Sequence, residues 1–85
     1  MTTPVDRVLA ALGVPPGTAV ALPEGCLLDR DELRLAELRR PHLLLLTLEG
    51  REPFVIAGDS IAEVARRAER LRGPRGVMLD FRWLR

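Results

Sequence analysis

One cysteine and one histidine are the only thiol and imidazole in this 85-residue chain, so any thiol or imidazole chemistry has to pass through Cys26 and His42. A thiolate nucleophile needs a base within hydrogen-bond reach and a third group to orient that base. Nothing local to either residue supplies these. Cys26, in Gly25-Cys26-Leu27-Leu28, sits among apolar neighbours and reads as a small buried hydrophobe. His42 follows Pro41 at the entrance of an apolar segment and reads as a strand-end residue. One Cys and one His cannot furnish the nitrogen and sulfur ligands of a zinc site. The acidic group Asp29, Asp31 and Glu32 lacks the spacing of a calcium loop and is better explained as helix capping. Ser60 has no flanking glycines of a nucleophile elbow, and Gly73-Pro74-Arg75-Gly76 follows a helical pattern where a phosphate loop would precede one. These residues assemble no catalytic set and imply no cofactor, so the expectation is a protein that is not an enzyme.

The remaining chemistry is basic. Arg66, Arg67, Arg70, Arg72 and Arg75 lie within ten residues whose only acid is Glu69. On a helix, Arg66, Arg67 and Arg70 share a face that could grip phosphates, with Arg75 just beyond, which makes nucleic-acid binding the alternative function. Two facts dilute it. Glu63 and Glu69 are spaced to pair with Arg67 and Arg72 along the helix. The chain also contains no Lys, so all 13 of its positive side chains are Arg; this fits a high-GC bacterial genome, and the absence of Asn and Gln fits a heat-tolerant source. The net charge is +1, with −2 on residues 1–50 and +3 on residues 51–85. Phe81 and Trp83 share a strand face as two base-stacking platforms would, but alternation with Val77 and Leu79 reads as core packing.

The elements that position these residues follow from capping and periodicity. Thr3 as N-cap, Pro4 at the first helical position and Val5, Val8, Leu9 and Leu12 at helical spacing predict a helix over about 4–12, closed by Gly13 as a left-handed cap with Val14 for its apolar contact. Thr18 to Leu22 reads as a short strand between Pro-Gly turns. Asp29 with Glu32 has capping-box spacing for a helix over 31–39, although the alternation of Leu33 and Leu35 also allows a strand there. His42 to Leu48 and Phe54 to Ala57 form a hairpin. A helix over about 60–72 follows, with a second capping box at Ser60 and Glu63 and an apolar stripe of Ile61, Val64, Ala65, Ala68 and Leu71. Residues 77–84 alternate as a final strand.

The order α-β-α-β-β-α-β predicts a single α+β domain over residues 1–85, a small two-layer α/β sandwich of ferredoxin-like split β-α-β or β-grasp-like type. Composition is that of a globular protein, 47% hydrophobic and 29% charged. With no signal-peptide pattern and no membrane-length apolar run, a cytoplasmic location is expected, with no membrane partner.

One pattern points to a partner. Leu43 and Leu45 face one side of their strand while Leu44, Leu46 and Leu48 face the other, so both faces are apolar. Either the first helix covers the second face, or a second subunit does. The functional expectation is a non-enzymatic protein-protein interaction module whose first candidate partner is itself, as a homodimer through Leu44, Leu46 and Leu48.

Overall fold

The computed structural model describes residues 3–85. Its α+β character is the expected one: three helices and a five-stranded mixed sheet. The elements are α1 (Pro4–Ala11), β1 (Ala19–Ala21), β2 (Leu27–Leu28), α2 (Leu35–Leu38), β3 (His42–Leu48), β4 (Phe54–Gly58), α3 (Ile61–Arg72) and β5 (Met78–Trp83), with sheet order β2-β1-β4-β3-β5. β1 runs parallel to β4, and every other neighbouring pair is antiparallel. Because β4 and β5 both run against the intervening β3, they are parallel to each other, and β4-α3-β5 is a split β-α-β unit.

Local capping explains both long helices. In α1 the Thr3 hydroxyl accepts the Asp6 N–H at 3.1 Å while the Asp6 carboxylate accepts the Thr3 N–H at 3.2 Å. At the other end, Gly13 takes φ +78°, its N–H donates to the Ala10 carbonyl, and the Val14 N–H donates to that of Leu9. Leu9 and Val14 then pack in one cluster, so the left-handed cap and its apolar contact are both present. In α3 the Ser60 hydroxyl accepts the Glu63 N–H at 3.1 Å. The Glu63 carboxylate reaches one residue further back than a capping box requires, to the Asp59 N–H at 2.9 Å.

Asp6 also meets Arg30 at 2.6 Å. Hydrogen bonds from the Thr3 backbone and hydroxyl, and then the Arg30 guanidinium, hold its carboxyl below the ordinary 3.8. A folded-state pKa below the unfolded one contributes stability that is complete above the ordinary value and is lost as pH falls through the folded value. Melting temperature followed between about pH 2 and pH 5 is therefore expected to fall less steeply for Asp6→Asn than for the parent chain. Equal slopes would show that this carboxylate does not anchor α1.

The second predicted helix is largely absent. Asp29 does cap, accepting the Asp31 and Glu32 N–H groups at 3.1 and 3.2 Å, but it caps a turn, and only Leu35–Leu38 are helical. Leu33 and Leu35 are both packed against the core beside α1, which side chains two apart cannot achieve from one face of a regular helix. The structure also contains a strand that sequence reading omitted: β2 is two residues long and turns back on β1 through Leu22, whose N–H donates to the Cys26 carbonyl at 2.8 Å.

The sheet carries apolar clusters on both faces. Val5 and Leu9 of α1 and Leu38 of α2 pack with Val20, Leu43, Val55 and Ala57 on one face. Val64 and Ala68 of α3 pack with Ala21, Leu44, Leu46, Leu48, Phe54 and Ile56 on the other. Both apolar faces of β3 are thus covered from within the chain. Leu44, Leu46 and Leu48, expected to offer a partner surface, are core residues beneath α3, which corrects that expectation. The β4-α3-β5 crossover lays its helix on them, while α1 and α2 close the opposite face.

Candidate functional site

The chemistry-bearing residues do not converge. Cys26 is exposed at the β1-β2 turn, where sequence reading had it buried, because the two-residue strand that follows it is at the sheet edge with little to cover it. His42 is half-buried at the head of β3, paired with Gly58. Strands β1 and β4 lie between β2 and β3, a lateral separation of about 14 Å at roughly 4.8 Å per strand, so the two residues form no dyad. Among the described residues, no three His, Cys, Asp or Glu side chains cluster as metal ligands, and no helix is long and apolar enough to cross a membrane.

The arginines divide. Arg66 and Arg70 are exposed and line a pocket with Pro23, Glu63 and Arg67. Arg75 is exposed in the turn after α3, and Arg72 pairs with Glu69 at 2.5 Å. Arg67 departs from the expected basic face: it is 7% exposed, and its guanidinium donates to the carbonyls of Ala57 and Ala21. Burial lowers its pKa from the usual arginine value, against an opposing contribution from Glu63. Ala21 ends β1 and Ala57 belongs to the parallel neighbour β4, so the planar fork joins the two strands just where their three-residue ladder stops. Its guanidinium is bound to main-chain carbonyls within the fold, although the residue also lines the pocket of Arg66 and Arg70. A signal for this was present in the sequence, since Arg67 lies three residues after Val64 and four before Leu71, within the stripe. The buried face of α3 is Val64, Arg67 and Ala68, and the expected stripe residues Ile61 and Ala65 are exposed.

The exposed edge opposite β2 is apolar. On β5, Phe81 and Trp83 are 57% and 39% exposed, and Val77 and Leu79 are exposed beside them. This corrects the expectation that they pack in the core. β5 is the last strand of the sheet, and α3 lies over β3, its one neighbour, and over β4, so the α3-side face of β5 projects past its cover. A groove of about 160 Å³ runs between helix and strand, lined by Leu44, Ala65, Ala68, Met78, Phe81 and Trp83 together with Glu69. Ala65, a stripe residue that the core does not use, thus adjoins the uncovered aromatics.

The backbone of β5 is open as well. The Leu84 N–H donates to the Leu43 carbonyl at 2.8 Å, and Leu44 stands opposite Trp83 and Leu46 opposite Phe81. In an antiparallel ladder the bonding direction alternates, so the N–H and C=O groups of Phe81 and Trp83 point away from β3 to the free edge. A register shift between Thr47 and Leu48 places Met78 opposite Leu48 and ends the regular stretch at Asp80.

Comparison with protein-family models, curated proteins and solved structures found no match for this chain. What fold and surface define together is a small α+β sandwich with one open, aromatic sheet edge.

Proposed function

We propose that this protein is a non-enzymatic interaction module of the cell interior that takes up its partner by strand addition at β5. The observation that carries the reading is the coincidence, on Phe81 and Trp83, of exposed aromatic side chains with outward-pointing backbone donors and acceptors. Main-chain hydrogen bonds along such an edge supply affinity, and side chains on alternate positions supply specificity. Natural proteins usually protect a strand edge of this kind, and covering it with a partner is one way to do so.

Amide hydrogen exchange tests this on isotope-labelled protein, observed purified and in extract of the producing cell. The Phe81 and Trp83 amides have no acceptor on β3, so protection there reports that the edge has been paired. Protection in either setting is expected. Free exchange of both amides in both settings would sink strand addition at β5.

A further inference from the structure

The chemistry of the β5 edge specifies its own complement. We infer that the strand added at β5 is β5 of a second copy of this chain, paired antiparallel about a two-fold axis through Phe81; this rests on the strand-addition reading above. A two-fold pairing must set outward-bonding residues against outward-bonding residues, which excludes an axis between residues; Asp80, Phe81 and Arg82 are the residue-centred axes at or next to the exposed Phe81. With the axis at Asp80, two aspartates meet. With it at Arg82, two arginines meet. Like charges directly opposite each other oppose pairing.

The axis at Phe81 is the one that matches charge. Asp80 then stands opposite Arg82 of the second copy, and the same pair recurs on the other side of the axis. Both residues are exposed, and neither takes part in the ion pairs formed among the described residues. They share the α1 side of the sheet, because they alternate with Phe81 and Trp83 and are in step with Leu84, which packs against the α1 cluster. On the α3 side the same register stacks Phe81 on Phe81 of the second copy, an aromatic cross-strand pair. Ala65 borders that row and widens the apolar contact. Of these three axes, charge and apolar character both favour Phe81, and the product is a continuous ten-stranded sheet in place of two open edges.

The test is solution mass by light scattering from about 1 μM to about 1 mM, the range over which a weak interface of strand size saturates. The wild-type chain is expected to double its mass across the series. Asp80→Arg and Arg82→Asp, both at exposed positions, should keep the wild-type circular dichroism and melting curve while each weakens self-association at least about ten-fold, since each places like charges opposite one another at two points. An equimolar mixture of the two variants should regain the dimer, because the Asp80→Arg edge, basic at both positions, then faces the Arg82→Asp edge, acidic at both. Variants that dimerise as well as wild type, or a mixture that stays monomeric, would overturn the register. A wild-type chain that stays monomeric throughout would overturn the second copy as partner. In that case protection of the Phe81 and Trp83 amides in extract would leave strand addition standing with a different partner, and its absence would remove both.

Discussion

Arg67→Ala is expected to lower stability by about 3–5 kcal/mol, because it removes two charge-assisted hydrogen bonds and leaves two buried carbonyls without partners. For a domain of this size that is a large share of the roughly 4–13 kcal/mol available in total, and a fall of about 4–8 °C per kcal/mol puts the melting temperature at least roughly 12 °C lower. The loss has an identifiable location. The guanidinium fork joins the Ala21 carbonyl of β1 to the Ala57 carbonyl of β4, beyond the last pair of a parallel ladder that is only three residues long. Arg67→Lys should recover only part of the loss, since an ammonium is a point charge without the planar fork that spans two strands. Arg66→Ala, one residue away on the exposed side of α3, should shift stability by no more than about 0.5 kcal/mol. Thermal and denaturant unfolding of the three variants decides the matter, and similar melting for Arg67→Ala and Arg66→Ala would refute the buried staple.

The second large effect belongs to β3. Leu43 and Leu46 are fully buried on opposite faces of that strand, one beneath α1 and α2 and the other beneath α3. Truncating either should cost about 2–5 kcal/mol through lost transfer free energy and the cavity left behind. Unfolding must be followed at low protein concentration, so that association makes no contribution. Comparable losses are expected from Leu43→Ala and Leu46→Ala. A neutral Leu46→Ala would mean that the α3 face is not core and would return Leu46 to the role of partner contact.

These two effects also separate two kinds of knowledge about the chain. α1 was legible residue by residue, from Thr3 and Pro4 to Gly13 and Val14, because capping and turn chemistry act over a few neighbouring residues. The same holds for β3 and β4, joined by a short turn, and for the extent of α3. β2 was not legible, since Leu27-Leu28 has strand character only through its pairing with β1. The helix predicted over 31–39 shrank to Leu35–Leu38 because burying both Leu33 and Leu35 outweighed helix propensity.

By itself, then, the sequence determined the α+β class, the extents of α1, β3, β4 and α3, and the two-sided apolar character of β3. The tertiary structure decided what meets each surface. It placed α3 over Leu44, Leu46 and Leu48, turned Arg67 from a basic-face residue into a buried staple, and left Phe81 and Trp83 uncovered at the sheet edge. The physical reason is range. Caps and turns are local hydrogen-bonding problems solved within about four residues. Which face is covered depends on strand order and on the side taken by each crossover, and those follow only when segments far apart in the chain pack together.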